Sequence, residues 1–239
     1  MKALIFAAGL GERMRPLTLH TPKPLLTAGG KPLIAWQLEK LAAIGVREVV
    51  INTSWLAPQF PQLLGSGERW GLRLHYSYEG EIPLETGGGM HHALQWLADG
   101  SEAEAPFLAV NGDIHSDFDY ARLPREPAGD AHLVLVDNPA QHPHGDFALS
   151  GDCVHADREP RLTFSGIALY RPAILRDWRD VVGEDAGADA TPPRFKLAPL
   201  LYAAISRGRV GGQHHAGSWT DVGTPQRLAQ LDARLRAEQ

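Results

Sequence analysis

Short apolar runs alternate with amphipathic stretches through the first half of the chain. Continuous apolar runs bounded by polar residues are typical of buried strands, and apolar residues three or four positions apart are typical of helices. We therefore predict strands at residues 2–6, 48–52, 72–78 and 107–110, the third with the alternation of an edge strand. Helices are predicted at residues 32–44, 59–64 and 86–97. This order indicates an α/β fold with a parallel sheet covered on both sides.

The second half of the chain has a different order of elements. We predict strands at residues 132–137, 162–170 and 210–215, and a hairpin over residues 147–157 that turns at Ser150-Gly151-Asp152. Helices are predicted at residues 171–182, 196–205 and 224–237, with an acidic, mobile loop at residues 183–193. We find no internal repeat, and 239 residues suffice for one well-buried domain.

The composition excludes several classes of function. A net charge of −5 gives no support for binding to nucleic acid or to an anionic membrane. No run approaches the roughly 20 apolar residues of a membrane span, and the N-terminal residues do not resemble a secretory signal. Cys153 is the only cysteine, which rules out an intrachain disulfide and favours a reducing compartment. We therefore expect a cytoplasmic protein with no nucleic-acid or membrane partner.

Residues 7–24 form a loop that directly follows the first predicted strand. Gly9 and Gly11 permit a tight turn and close approach of a ligand. The loop also contains three cations and three stiffening prolines, namely Arg13, Arg15, Lys23, Pro16, Pro22 and Pro24. Flexible backbone amides and converging cations suit a polyphosphate. The alternative is a glycine-containing surface loop with incidental positive charge.

Two aspartates stand where predicted strands end. Asp113 follows the strand at residues 107–110, and Asp221 precedes the last predicted helix. Ligands of α/β sheets bind at the carboxyl ends of strands, and a pair of carboxylates facing a polyphosphate suits Mg²⁺. The alternative for Asp113 is an ordinary turn aspartate.

Together these motifs resemble those of the sugar-1-phosphate nucleotidyltransferases. The matching stretches are Gly-x-Gly-x-Arg-Met-x-Pro-Leu-Thr at 9–18, Pro-Lys-Pro at 22–24, Asn-Gly-Asp at 111–113 and Trp-x-Asp-x-Gly-Thr at 219–224. The resemblance implies one Rossmann-like, GT-A-like domain over residues 1–239, with a mostly parallel, mixed central sheet and helices on both faces. It also implies a nucleotide-binding half at about residues 1–115 and a sugar-phosphate-binding half at about 116–239.

The resemblance implies a role for each matching residue. It assigns catalysis to Arg13, Lys23 and Asp113, and Mg²⁺ to Asp113 and Asp221. It implies nucleotide contacts for Ala8, Gly9, Gly11, Glu12, Arg13, Lys23, Glu85, Thr86 and Gly87. It implies sugar-phosphate contacts for Asn111, Asp146, Gly166 and Lys196. Glu85 departs from the pattern of many relatives, which leaves the contacts to the base open.

Further motifs bear on the substrates. Pro-Leu-Glu-Thr-Gly-Gly-Gly at 83–89, His-Pro-x-Gly-Asp-Phe at 142–147 and Phe-Lys-Leu-Ala-Pro-Leu at 195–200 are most similar to uridylyltransferases of peptidoglycan recycling. That similarity implies UTP and N-acetylmuramate 1-phosphate as substrates of a monomer or homodimer. The alternatives are a mannose-1-phosphate guanylyltransferase and a glucose-1-phosphate thymidylyl- or uridylyltransferase.

Two other classes of protein also open with a strand and a glycine loop. A nicotinamide dehydrogenase requires a third glycine and an acidic residue at the end of its second strand, where this chain has Met14 and Asn52. A nucleotide-binding regulator without catalysis has no need for two separated carboxylates. Both fit the sequence less well than a transferase does.

Overall fold

The computed structural model describes residues 1–98, 104–184 and 187–238. Its strands are β1 (Ala3–Phe6), β2 (Thr27–Ala28), β3 (Lys31–Pro32), β4 (Glu48–Thr53), β5 (Arg73–Tyr78), β6 (Phe107–Asn111), β7 (Ile114–Ser116), β8 (Ala131–Val136), β9 (Phe147–Ser150), β10 (Cys153–His155), β11 (Arg161–Tyr170), β12 (Val210–His215) and β13 (Trp219–Asp221). Its α-helices are α1 (Leu33–Ala43), α2 (Gln59–Leu64), α3 (Glu85–Leu97), α4 (Trp178–Val182), α5 (Ala198–Ser206) and α6 (Pro225–Ala237).

Within the described ranges, nine strands form one mixed sheet in the order β5-β4-β1-β6-β11-β8-β12-β10-β9. β1 pairs in parallel with β4 and β6, and β4 pairs in parallel with β5 at the edge. β11 then joins β6 and β8 in antiparallel register, and β12 returns parallel to β8. The predicted mixed α/β sheet is confirmed, and it runs without a break through both halves of the chain.

Alternate residues of the central strands enter two separate cores. Leu4 of β1 belongs to a cluster built with α3, α4 and α5, whereas Ile5 belongs to a cluster built with α1 and α2. This is the alternation that a strand buried on both faces imposes. The helices therefore cover both faces of the sheet, as predicted. No helix in the described part of the chain is long and apolar enough to cross a membrane.

Two short ribbons lie beside the main sheet, formed by β2 with β3 and by β7 with β13. Neither β2, β3 nor β7 was predicted, because strands of two or three residues carry no detectable periodicity. A third apolar cluster joins Met14 of the glycine loop to Val222, Leu231 and Leu235. The C-terminal helix α6 thereby packs against the loop at the opposite end of the chain.

The prediction of one continuous helix at residues 171–182 is wrong. A 3₁₀ turn at Pro172–Leu175 is followed by a separate short helix, α4, with Asp177 at φ −107° and ψ 32° between them. The interruption allows Trp178 to stack on Phe195, with ring centroids 4.3 Å apart and an interplanar angle of 2°. The acidic loop predicted at residues 183–193 lies in part outside the described residues, which omit 185 and 186.

The helix predicted at residues 196–205 begins two residues later than expected. α5 starts at Ala198, so Lys196 lies in irregular backbone before the helix and not in its first turn. Most other predicted elements are present within one or two residues, including the hairpin of β9 and β10 and the helix α6, whose N-cap Thr224 accepts from the Arg227 amide.

We expect Leu38→Ala to lower the free energy of unfolding by about 2–5 kcal/mol, because Leu38 of α1 is fully buried and the deletion leaves a cavity. The matched control is Leu63→Ala on α2, where the side chain is 46% exposed and we expect a change below about 0.5 kcal/mol. Urea unfolding followed by circular dichroism measures both values. Equal losses for the two variants would contradict the packing of α1 against the sheet.

Candidate active site

Three adjoining clefts lie among the described residues at the carboxyl ends of β1, β4 and β6. The loop cleft, about 440 Å³, includes Gly9, Gly11, Glu12, Arg13, Lys23 and Asp113. The helix cleft, about 440 Å³, includes Ala8, Gly9, Asn52, Glu79, Glu85, Thr86 and Asn111. The ribbon cleft, about 560 Å³, includes Arg13, Lys23, Asn111, Gln141, His142, Asp221 and Arg227. Asp113 lines all three clefts.

The glycine loop has its two glycines for different reasons. Gly11 has a left-handed backbone with φ 63°, and a Cβ atom there would approach Thr18 Cγ2 to 2.8 Å. The Thr18 hydroxyl donates to the Gly11 carbonyl at 2.8 Å, and Trp55 Nε1 donates to the Thr18 carbonyl at 2.9 Å. A Cβ atom at Gly9 would meet nothing within 4 Å. Gly11 thus serves the shape of the loop, and Gly9 leaves open space at the cleft.

Two of the three predicted loop cations face the same cleft. Arg13 is exposed and lines both the loop cleft and the ribbon cleft, as does Lys23. Lys23 Nζ donates to Asp113 Oδ2. Arg15 instead pairs with Glu12 at 3.6 Å and lines none of these three clefts but a fourth, of about 770 Å³, beside Trp55. The expectation that all three cations converge is therefore wrong for Arg15.

The β7–β13 ribbon brings the two predicted aspartates to one place. Asp221 pairs in register with Ile114, the residue after Asp113, and the Val222 amide donates to the Asp113 carbonyl at 2.9 Å. Asp221 Oδ1 accepts from Arg227 and, at 3.0 Å, from Gln141 Nε2. Each carboxylate therefore has a cationic partner, Lys23 on Asp113 and Arg227 on Asp221.

Asn111 lines the ribbon cleft and lies against Gly166, which does not line the cleft itself. Gly166 lies at a β-bulge of β11 with φ 78°, and a Cβ atom there would approach Asn111 Nδ2 to 2.5 Å. The bulge thus leaves room for the Asn111 amide, which lines both the helix cleft and the ribbon cleft. Trp219 Nε1 fixes the ribbon to this bulge by donating to the Ser165 carbonyl at 2.9 Å.

The other two residues predicted to contact the sugar phosphate, Asp146 and Lys196, line none of the three clefts. Asp146 accepts from the Phe164 amide at 2.7 Å and lies 3.0 Å from His142 Nε2, so it fixes the loop that carries His142 beside the ribbon cleft. Lys196 is exposed and lines none of the three clefts. The structure therefore brings Asn111 into the site, places Gly166 against Asn111 outside the cleft lining, and leaves Lys196 outside the three clefts.

Residues 85–89, which form the start of α3 and are called here the second glycine loop, are pressed against the segment before α5. The amides of Gly87 and Gly88 both donate to the Phe195 carbonyl, at 3.0 and 2.9 Å, and Thr86 Oγ1 accepts from the Leu197 amide. Glu85 has φ 63° and accepts from Arg194 at 3.2 Å. Glu85 and Thr86 line the helix cleft, whereas the Gly87 amide is occupied by the protein itself.

Five residues at the clefts were missed by sequence reasoning, namely Asn52, Glu79, Gln141, Arg194 and Arg227. Asn52 lies at the end of β4 and Glu79 directly follows β5. The rule that ligand residues follow parallel strands, applied here only to β1 and β6, would have found both. Gln141, Arg194 and Arg227 lie in a loop, an irregular segment and a helix far along the chain, and they have no such signal.

Glu79 is buried beneath the helix cleft and is 5% exposed. Burial raises its pKa from the ordinary 4.5 to about 7, although hydrogen bonds from the Leu84 amide and Asn52 act to lower the pKa. A buried carboxyl prefers its neutral form because desolvation disfavours the charge. The folded state therefore binds a proton that the unfolded state has already released between these two pKa values.

We expect the free energy of unfolding of wild type, measured relative to that of Glu79→Gln, to decrease as pH rises from about 5 to about 7. The folded-state pKa lies above the unfolded one, so the stabilisation by the bound proton is complete below pH 4.5 and is lost as pH passes 7. Urea unfolding at a series of pH values measures this difference. Glu68→Gln, at an exposed glutamate, is the control. A difference that stays constant or grows with pH would contradict the raised pKa.

Comparison with known proteins identifies the family of this chain. A family model described as nucleotidyl transferase matches residues 2–147. An N-acetylmuramate alpha-1-phosphate uridylyltransferase of Neisseria meningitidis serogroup B is 44% identical, over 98% of this chain and 97% of that protein. One of Caulobacter vibrioides with the same name is 33% identical, over 98% and 96%.

A solved structure shows the same fold. The structure of a putative glucose-1-phosphate thymidylyltransferase from Bacillus anthracis has a TM-score of 0.81 and 21% identity, with 99% of this chain and 95% of that chain covered. At this identity the likeness supports the architecture alone. Taken with the family match and the two relatives above, these findings show that the chain belongs to the nucleotidyl transferase family, among the sugar-1-phosphate nucleotidyltransferases.

Proposed function

We propose that this enzyme transfers UMP from UTP to N-acetylmuramate 1-phosphate, with release of pyrophosphate, in peptidoglycan recycling in the cytoplasm. The observation that carries the proposal is the junction of the loop cleft and the ribbon cleft, where Arg13, Lys23 and Asp113 line both. A nucleotide phosphate and a sugar phosphate held in adjoining clefts must meet at these residues. Relatives of 44% and 33% identity are named for this activity, which supports the choice of substrates.

The three clefts divide the two substrates between them. The loop cleft takes the triphosphate, since its glycines leave backbone room and its cations neutralise phosphate charge. The helix cleft takes the nucleoside, between Ala8 on the first glycine loop and Glu85 and Thr86 on the second. The ribbon cleft takes the sugar phosphate, beside Asn111 and the residues Phe164 and Ser165 at the β11 bulge. The last of these combines residues from both halves of the chain.

Transfer requires only one in-line displacement. A phosphate oxygen of the sugar 1-phosphate forms a bond to the α-phosphorus of UTP, and the bond from that phosphorus to the β-phosphate bridging oxygen breaks. Pyrophosphate leaves with the electron pair. Because the attacking oxygen is already anionic, no general base is needed, and catalysis depends on positioning and charge neutralisation. Arg13 and Lys23 supply the neutralising charge in this proposal.

Mg²⁺ fits the donor set that the ribbon assembles. Mg²⁺ favours oxygen ligands and is commonly held by one or two carboxylates together with substrate phosphates, and Asp113 and Asp221 provide two carboxylates at one cleft. No group of three or more His, Cys, Asp or Glu side chains in the described residues is placed to hold a metal without a substrate. When bound, the ion would neutralise phosphate charge and orient the α-phosphate. Lys23 and Arg227, now on these carboxylates, would then be available to phosphate oxygens.

We expect pyrophosphate release with Mg²⁺ from UTP and N-acetylmuramate 1-phosphate, and at least about 100-fold less from other pairs. The panel combines UTP, GTP, dTTP, CTP and ATP with the 1-phosphates of N-acetylmuramate, N-acetylglucosamine, glucose and mannose. A preference for GTP with mannose 1-phosphate would keep the reaction and overturn the substrates, as would dTTP or UTP with glucose 1-phosphate. Absence of turnover from folded enzyme that binds UTP would favour a nucleotide-binding regulator.

We expect Asp113→Asn and Asp221→Asn each to lower kcat by roughly 100-fold or more, since each removes a charge that orients ion and phosphate. Calorimetric titration with Mn²⁺ in the presence of a non-hydrolysable UTP analogue should show weaker ion binding for both variants. Asp157→Asn, at an exposed residue of the second half, is the matched control. Unchanged ion binding in both site variants would contradict the assignment of the metal ligands.

A further inference from the structure

We infer that Asn52 and Glu79 form a hydrogen-bonded bridge that sets the distance between the two glycine loops, so that Glu79 is a positioning residue for nucleotide binding. The inference rests on the proposed function only in taking the loop cleft and helix cleft as the two ends of one nucleotide site. The bridge is defined by four groups, namely the Ala7 amide, the Asn52 side chain, the Glu79 carboxylate and the Leu84 amide.

Parallel register lines these groups up across three strands. Ile5 of β1 pairs with Ile51 of β4, and Thr53 of β4 pairs with Tyr78 of β5. The residues that follow these pairs therefore stand side by side at the carboxyl edge of the sheet. Ala7 begins the first glycine loop, and Leu84 directly precedes the second.

Every link of the bridge has one donor and one acceptor. The Ala7 amide donates to Asn52 Oδ1 at 2.5 Å, and Asn52 Nδ2 donates to Glu79 Oε1 at 2.6 Å. The Leu84 amide donates to Glu79 Oε2 at 2.8 Å. Asn52 is 3% exposed and Glu79 is 5% exposed, so water cannot readily replace a lost partner. A buried polar group that loses its hydrogen-bond partner destabilises the fold. Each donor and each acceptor in the bridge must therefore keep its place.

The packing of α3 shows that the second loop rests on this bridge. A Cβ atom at Gly89 would lie 2.3 Å from Glu79 Oε1 and 2.8 Å from Asn52 Nδ2. The third glycine of the second loop is thus needed for contact with the bridge. Glu85, next to Leu84, has φ 63°, which is unusual for a residue with a side chain. The bond from Leu84 to Glu79 holds the chain immediately before this turn.

The bridge therefore controls a distance that a nucleotide must match. Ala8 and Gly9 line the helix cleft from the first loop, and Glu85 and Thr86 line it from the second. A nucleoside triphosphate spans both loops as one molecule, so a shift of one loop against the other weakens binding at both. The sugar phosphate lies in the ribbon cleft, which neither Asn52 nor Glu79 lines.

The test exploits the direction of the hydrogen bonds. E79Q places the NH₂ group of its side chain against one of the two donors to residue 79, which are Asn52 Nδ2 and the Leu84 amide. N52D removes the donor to Glu79 and places two carboxylates next to each other. In the double variant N52D/E79Q, the new carboxylate accepts from Ala7 and from the introduced amide, whose oxygen accepts from Leu84. The net charge of the pair is unchanged. Rescue by the double variant is the signature of the bridge.

We would measure UTP affinity by calorimetry, and KM and kcat for both substrates, at pH 8 and well below each thermal midpoint. We expect E79Q to raise the UTP dissociation constant about tenfold, as for loss of one buried hydrogen bond, with the sugar-phosphate KM within about twofold. We expect N52D/E79Q to return within about threefold of wild type. E68Q is the matched control and should bind UTP as wild type does.

If folded E79Q binds UTP as tightly as wild type does, the positioning role of Glu79 is overturned, even where the thermal midpoint of the variant is lower. Weak binding by a folded double variant would also overturn it. If E79Q does not fold, E79D replaces it in the same titration, since its shorter side chain keeps the charge but does not reach both donors. If wild type binds no nucleotide, the proposed function and the bridge are overturned together. If wild type binds UTP and E79Q binds it equally well, the bridge alone is overturned.

Discussion

Parallel pairing of β1 with both β4 and β6 is the constraint on which the site depends. The pairing brings three strand ends to one edge, with Phe6 beside Asn111 and Ile5 beside Ile51. Backbone N–H and C=O groups beyond that edge have no partners within the sheet, so loops and side chains must supply their hydrogen-bond partners. The Asn52 side chain accepts from the Ala7 amide there, and the Gly112 amide donates to the Phe6 carbonyl. The three clefts follow the same edge.

Charge compensation organises the rest of the site. The chain carries a net charge of −5, yet its clefts gather Arg13, Lys23 and Arg227 around two carboxylates. Lys23 on Asp113 and Arg227 on Asp221 keep each partly buried charge paired. In the proposed reaction, an incoming phosphate and Mg²⁺ would exchange partners with these pairs without leaving a buried charge alone, which would lower the cost of ordering the site for catalysis.

Glycines in the two loops illustrate how one residue type serves different ends. Gly9 faces open space at a cleft, as expected for a residue that lets a ligand approach. Gly87 and Gly89 instead lie against Phe195 and Glu79, where a Cβ atom would approach within 2.6 and 2.3 Å. The second glycine run therefore records packing within the protein more than contact with a base. A sequence motif alone does not distinguish these two causes.

The sequence by itself determined the α/β class, most strands and helices, the placement of Asp113 and Asp221 at strand ends, and that of Lys23 in the loop after the first strand. These features depend on local periodicity and on short motifs, which a single chain carries in full. Only the tertiary structure decided that Arg15 and Lys196 stand apart, that Asp177 interrupts a helix, and that β7 and β13 join the two carboxylates. It also decided the partners of Glu79 and Arg227. The physical reason is that such contacts depend on packing between segments far apart in the chain, and a pattern of neighbouring residues does not encode them.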